Sequence, residues 1–274
     1  LTDSTADLTP AQIERYGIGV VPLHVLFGGQ IYRDGVDIQT ADLLSGIAQG
    51  QRMPTTSQPS PAEFAAAFSN ALEHADEVLS LHIAETLSGT VGSARLAAQD
   101  FGGRVTVIDS GTVSMGLGTL AIRAAERAAA GQPLPEIVGE ITRLREQQDI
   151  RFTVESLDYL RLNGRIGGAT ALLGGLLSIK PILAVRHGRV EPIGRERGQK
   201  KATANIAHHA AEYVARHGRT QMAFVTTPGG EQSAEELRAS LQGLDIKDLG
   251  NNNFGSVVAS HGGPGIYGLV LTPD

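Results

Sequence analysis

Val78-Leu79-Ser80-Leu81-His82-Ile83 is a short apolar run, Val105-Thr106-Val107-Ile108 is another, and between them Val91, Ala94, Leu96 and Ala98 recur at helical spacing. A buried strand, a crossover helix and a second buried strand make a βαβ unit around a parallel sheet. The spacing predicts that the helix begins near Ser88. The second strand ends in Asp109-Ser110, which echoes Asp3-Ser4 at the end of the first strand of the chain. Both pairs are expected on one carboxyl edge, where open α/β sheets bind ligands.

Outward from this unit the punctuation is clear. Thr9-Pro10-Ala11-Gln12 and Ser60-Pro61-Ala62-Glu63 each combine an N-cap hydroxyl, proline at the first helical position and a capping-box residue. Phe64, Phe68 and Leu72 then mark the apolar face of the second of these helices. Gly131-Gln132-Pro133-Leu134-Pro135 breaks an alanine-rich helix, and another helix follows through Leu144. Two domains are expected, residues 1–150 and 151–274, since 274 residues exceed the size of about 150 usual for one. In the second, Leu157, Leu160 and Leu162 predict a short helix stopped by Asn163-Gly164. Strands Pro181 to Val185 and Arg189 to Ile193 flank a His187-Gly188 turn. A helix from Gln199 to His217 ends at Gly218. There follow a strand Gln221 to Thr226, a helix capped by Ser233 with Glu236 in box position, and strands Ser256 to Ala259 and Ile266 to Leu271, which give a mixed α+β part. Ala169 to Ile179 reads as core, with the wall of an apolar tunnel as the other reading.

A net charge of -6 and 4% aromatic residues argue against a nucleic-acid platform. No uncharged apolar run reaches the roughly 18 residues of a transmembrane segment. Leu1-Thr2-Asp3-Ser4 leads straight into a strand end without a basic leader, and with no cysteine in the chain a cytoplasmic location is expected. No metal-spaced His cluster and no nucleotide loop are found, so neither a metal nor a cofactor is expected; the adjacent His208 and His209 point apart on their helix.

Three segments place small polar residues at expected helix mouths: Thr56-Ser57-Gln58-Pro59-Ser60-Pro61, Ser88-Gly89-Thr90 and His261-Gly262-Gly263-Pro264-Gly265. Helix starts offer unpaired N–H groups and a positive dipole end to an anion, and hydroxyls add donors. Taken singly, Thr56, Ser57, Ser88 and Thr90 are as well explained as caps or ST-turns. Two such clusters after successive strand units are expected to meet at one sheet edge, which favours joint binding of an acidic head. His261, expected at a strand end, can bond a carboxylate or orient a serine; a buried histidine satisfied by a carbonyl is the other reading. Arg165 and the run Arg195-Glu196-Arg197-Gly198-Gln199-Lys200-Lys201 are the main cationic islands, solvated surface or a face for phosphate or an acidic partner. A Ser88, His261 and Asp109 triad has hydrolase residue types but lacks the nucleophile elbow.

The chain resembles the DegV family, long-chain fatty-acid-binding proteins that include the binding subunit of bacterial fatty acid kinase. The resemblance runs through Thr2-Asp3-Ser4-Thr5-Ala6-Asp7-Leu8, Val21-Pro22-Leu23, Tyr32-Arg33-Asp34-Gly35-Val36-Asp37-Ile38, Thr56 to Ser60, Ser88-Gly89-Thr90, Asn163-Gly164-Arg165-Ile166, Lys180-Pro181-Ile182-Leu183 and His261 to Gly265. It implies an α/β fold of two domains. The N-terminal one is a three-layer α/β/α domain with a parallel sheet, and the C-terminal one a two-layer α+β domain with a mixed sheet. It also implies a tunnel for a palmitate-, stearate- or oleate-like fatty acid whose carboxylate meets Thr56, Ser57, Ser88, Gly89, Thr90 and His261. Arg165 and Arg197 match arginines that face the phosphate or the kinase. The implied role is non-enzymatic: presenting the acid to a separate ATP-binding kinase subunit for acyl-phosphate formation in phospholipid synthesis, with transient contact at a membrane surface. An esterase using Ser88 and His261, and a phosphorylated-metabolite binder, are the competing readings. Two departures stand out: Leu162-Asn163 replaces the start of the family's Arg-Gly-Gly-Arg pattern, and Gly263 occupies a variable loop position.

Overall fold

The computed structural model describes residues 1–172 and 179–274. In chain order these form β1 (Thr2–Asp3), α1 (Pro10–Tyr16), β2 (Val20–Val21), β3 (His24–Phe27), β4 (Gln30–Arg33), α2 (Thr40–Ala48), β5 (Thr55–Ser57), α3 (Pro61–Leu72) and β6 (Val78–His82). There follow α4 (Thr90–Ala98), β7 (Val105–Asp109), α5 (Met115–Ala129), α6 (Leu134–Gln147), β8 (Asp149–Thr153), α7 (Asp158–Leu162), β9 (Ile179–Arg186) and β10 (Arg189–Arg197). The chain closes with α8 (Gln199–His217), β11 (Thr220–Thr226), α9 (Glu231–Ser240), β12 (Ile246–Asn253), α10 (Ser256–Gly262) and β13 (Tyr267–Pro273).

The βαβ unit forms as expected: β6 and β7 pair in parallel, from Val78↔Val105 to His82↔Asp109. β1 pairs in parallel with β2, and the Leu81 N–H donates to the Leu1 carbonyl beside it. Asp3 and Asp109 therefore do lie at one edge, where Asp3 accepts from the Ile83 N–H. Both proline-led helices carry complete capping boxes, Thr9 with Gln12 and Ser60 with Glu63. Beyond the parallel elements, β4, β3 and β5 make an antiparallel sheet in which Thr56 opposes Val25. Gly28 and Gly29, both at positive φ, turn β3 into β4.

The second half is built on a mixed six-stranded sheet ordered β10-β9-β8-β13-β11-β12, antiparallel except for β11 with β12. Residue 150, the expected domain boundary, falls inside its strand β8. Strand alternation sorts two cores. Met222, Phe224, Leu269 and Leu271 face helices α8 and α9. Ala223, Val225, Val270 and Leu183 face the opposite way, toward Met115 and Ile122 of α5. The His187-Gly188 turn has positive φ at both residues, which a tight hairpin between β9 and β10 requires.

Three readings change, and a fourth stands where it is described. Residues 256–259 are helix, not strand. Helix α9 starts at Glu231 behind Gly230, with no side-chain cap, so Ser233 and Glu236 form no capping box. Strand β12 carries no strand signal in the sequence, because the exposed Asp248, Asn251 and Asn253 sit on a sheet edge that water accepts, while Asn252 is buried against Asp7 and Gln12. In the Ala169 to Ile179 segment, Ala169 is core and Leu172 packs against it; residues 173–178 of that expectation lie outside those described.

Candidate functional site

Between the inner face of the six-stranded sheet, the β6–α4 loop, β5 and α10 lies a narrow chamber of about 130 Å³. Its body is apolar. Ile150 and Phe152 from β8, Val225 from β11 and Val270 from β13 form the sheet side, and Leu23, Ile83 and Val257 lie across from them. Ile150 opposes Val270 in the ladder, so their side chains rise on one face.

Polar groups gather at one place. Thr56 Oγ1 is 2.9 Å from His261 Nε2, and Ser88 Oγ is 2.9 Å from Thr90 Oγ1. The Gly89 Cα faces Gln58, whose amide a Cβ there would meet at 3.0 Å. Arg165 spans the opening: Nε and Nη2 donate to the Leu87 carbonyl at 3.2 Å, and Nη1 donates to the Asn163 carbonyl at 2.8 Å. Burial, with the Arg165 charge nearby, lowers the His261 pKa to about 4, so the imidazole is neutral at pH 7. Its Nδ1 is buried and has no partner among the described residues.

Thr56, Ser57, Ser88, Gly89, Arg165 and His261 thus line one cavity. Thr90 is fully buried and reaches it only through Ser88. Arg197 does not line it; the residue is exposed at the end of β10. The reason given for the hydroxyls changes too. Thr56 and Ser57 are in a strand, and Ser60 does the capping of α3. Gly89 is the N-cap of α4, which has no side-chain cap. Neither Thr56 nor Ser88 is held by a helix start, so the capping explanation does not apply to them. His261 follows no strand. It ends α10, where the dipole is negative, and Gly263 at φ 81° packs against the Tyr159 ring rather than cradling an anion. Sequence reading missed Gln58, Phe254 and Ser114, which also line the chamber. Ser114 gave no motif; its φ of 56° shows only in the fold.

The Ser88, His261 and Asp109 triad of the competing hydrolase reading does not assemble. Ser88 bonds Thr90, His261 bonds Thr56, and Asp109 accepts from the Glu85 and Gly111 N–H groups. A different Ser-His-Asp chain exists: Ser80 Oγ lies 2.6 Å from His82 Nε2, and His82 Nδ1 lies 3.0 Å from Asp3 Oδ2. All three side chains are wholly enclosed, so the chain ties β1 to β6 and meets no substrate. Among the described residues no group of three or more His, Asp or Glu is placed to hold a metal, and no helix is long and apolar enough to cross a membrane.

Two more acids stand behind the chamber. Asp7 and Asp34 are buried, and burial pushes Asp7 well above the usual carboxylate range and Asp34 up to about 6. A carboxyl raised in the folded state favours folding while protonated. Its contribution therefore falls as pH rises from about 4 through about 6. Asp34→Asn is expected to flatten that part of the stability profile, measured as the difference in melting temperature from wild type between pH 4 and pH 7; parallel profiles would refute it.

The family model for DegV, described as an uncharacterised protein family, matches residues 1–274. The chain belongs to the DegV family. A DegV domain-containing protein of Deinococcus radiodurans is 58% identical over 273 residues, covering 100% of this chain and 97% of the relative. A solved DegV-family protein from Thermus thermophilus, described by its fatty acid binding, superposes with a TM-score of 0.96 at 44% identity, covering 100% of this chain and 98% of that one. A stearic-acid-binding protein from Eubacterium ventriosum gives 0.88 at 27% identity, covering 99% and 97%. The parallel strands of the first half and the mixed sheet of the second are those of this DegV fold.

Proposed function

We propose that the chamber binds one long-chain fatty acid, tail along the apolar sheet face and carboxylate at Thr56, Ser88 and His261. The observation that carries this is an apolar chamber at one end of which Thr56, Ser88 and His261 come together, with a buried His261 Nδ1 that has no partner among the described residues. Each buried CH₂ contributes about 0.8 kcal/mol, so the tail supplies most of the affinity. The head needs donors, since an unpaired carboxylate out of water is costly. The Ser88 hydroxyl provides one, and the Thr56–His261 pair a second, from His261 Nδ1–H when Thr56 donates to Nε2 or from the Thr56 hydroxyl when Nε2–H donates to it. No ion pair is needed, and the carboxylate stays reactive. The fatty-acid-binding relatives support the same reading. Native mass spectrometry of the purified protein is expected to show a fatty acid. A ligand-free mass, with no uptake of palmitate or oleate, would exclude it.

The protein then acts as a carrier and not as an enzyme: a separate ATP-binding kinase subunit phosphorylates the held carboxylate. Supporting this, Ser88 has no base beside it, and Arg165 at the opening is bound only to carbonyls, which leaves its charge available to a phosphate or an acidic partner. Arg165→Ala and Arg197→Ala are expected to retain fatty acid but to slow acyl-phosphate formation severalfold with a cognate kinase and ATP, more so at low ionic strength. Wild-type phosphorylation rates in both variants would remove the arginines from this role.

A further inference from the structure

Helix α10 is one wall of the chamber. Phe254 precedes it, and Val257, Val258 and His261 on it face the cavity. Its own sequence supplies no cap, since Gly255 stands at the N-cap. Two carboxylates from the far end of the chain do this instead. Asp7 Oδ1 accepts from the Gly255 N–H at 2.8 Å. Asp34 Oδ1 accepts from the Ser256 N–H at 2.7 Å and from the Val257 N–H at 3.3 Å. The other end of the helix is held as well, by Asn163 Nδ2 donating to the Ser260 carbonyl at 2.7 Å and by Thr56 on His261.

The acids are unusual in their surroundings. Asp7 is 7% exposed and Asp34 2%, and beyond the helix N–H groups only the hydroxyls of Ser114, beside Asp7, and Ser4, beside Asp34, approach them among the described residues. The charges facing them are those of Asp3 and, for Asp7, Asp34, all of one sign. The Ser114 hydroxyl, from the chamber lining, lies beside Asp7. A Cβ at Gly255 would stand 3.1 Å from Asp7 Oδ1 and 3.1 Å from Asp34 Oδ2. A side chain there would crowd both carboxyls, which would have to give way by a few tenths of an ångström. General stabilisation does not call for two like-signed, cation-free acids at one helix start, because like charges repel in a poorly solvated site. Fixing the place of that helix does.

We propose that Asp7 and Asp34 are positioning residues for the binding site: they hold α10 by its first N–H groups and thereby set where His261 meets Thr56 and where the chamber wall stands. The consequence for ligand rests on the fatty-acid reading; the placement of His261 does not. What the helix needs from each acid is an acceptor oxygen and not a charge. Asparagine presents the same Oδ1, and at residue 7 it also tolerates the left-handed backbone, φ 51°. Alanine removes the acceptor.

The test uses two readouts: imidazole NMR signals of His261 in the ligand-free protein, assigned with His261→Gln, and the rate at which preloaded oleate dissociates. Asp7→Ala and Asp34→Ala are expected to shift the His261 signals and to speed dissociation by about tenfold, the scale of one lost buried hydrogen bond. Asp7→Asn and Asp34→Asn are expected to keep both within about twofold of wild type, by the same reasoning. Folded alanine variants with unmoved His261 signals and unchanged dissociation overturn the proposal, as do asparagine variants as disturbed as the alanine ones. Should the alanine variants not fold, the double variant Asp7→Asn/Asp34→Asn carries the test: disturbed His261 signals in a folded protein that keeps both acceptors overturn the proposal, and unmoved signals support it. If wild-type protein holds no oleate, the fatty-acid reading fails while the His261 signals still decide the positioning.

Discussion

Lengthening a saturated fatty acid from twelve to sixteen carbons is expected to tighten binding by about two hundredfold. Four methylenes at about 0.8 kcal/mol each give about 3 kcal/mol, and each 1.4 kcal/mol is tenfold. The figure assumes that every added methylene enters the chamber, whose body is lined by Ile150, Phe152, Val225 and Val270. Delipidated protein titrated at concentrations below micelle formation, by displacement of a fluorescent fatty acid, gives the slope directly. A slope near zero would mean that the tail lies on the surface and the chamber holds something else. A steep slope that stops at one length would mark where the bore ends. A phosphorylated metabolite, the competing occupant of such a mouth, would show no dependence on tail length.

The elements that could be read from the sequence are those whose causes are local. Ser60 and Glu63 announce α3 within four residues, Gly218 ends α8, and His187-Gly188 can scarcely do anything but turn. The unread elements owe their form to distant contacts. Val257-Val258 suggests a strand by β-branching, yet it is helical because Asp7 and Asp34, more than 220 residues away, take up the first N–H groups. Strand β12 is made by pairing with β11, with only scattered apolar residues of its own to signal it. The site shows the same division. Thr56, Ser88 and His261 stood out as polar residues in short motifs, although for a capping reason that the fold removes. The chamber walls could not be read, since Ile150, Val225 and Val270 are ordinary strand residues until the sheet register places them side by side. Arg165 and Arg197 looked alike as cations, and only the fold separates the one at the opening from the one at the end of β10.

Replacing both Thr56 and Ser88 by alanine is expected to weaken fatty-acid binding by about a hundredfold while lowering the ligand-free melting temperature by only a few degrees. Each hydroxyl lost from a buried carboxylate costs about 1–3 kcal/mol, and because the two donors share one head group their losses couple, so about 3 kcal/mol is expected for the pair. Neither hydroxyl caps a helix, since Thr56 lies in β5 and Ser88 bonds the Thr90 side chain just ahead of α4; the stability lost is that of the buried His261 Nε2 left without Thr56, about 1–3 kcal/mol. The single variants carry separate information. Thr56→Ala also frees His261 Nε2, so it removes a donor and loosens the imidazole. Thr56→Ser keeps the hydroxyl and is expected to bind within a few fold of wild type. Ser88→Ala leaves His261 in place and reports the hydroxyl alone. Isothermal titration of the delipidated protein, set beside thermal melts without ligand, reads both quantities. Variants that melt early but bind as wild type would make these residues structural and move the carboxylate site elsewhere in the chamber. Variants that bind as wild type and melt normally would leave His261 Nδ1 as the principal donor to the head group, and His261→Ala would then have to abolish binding.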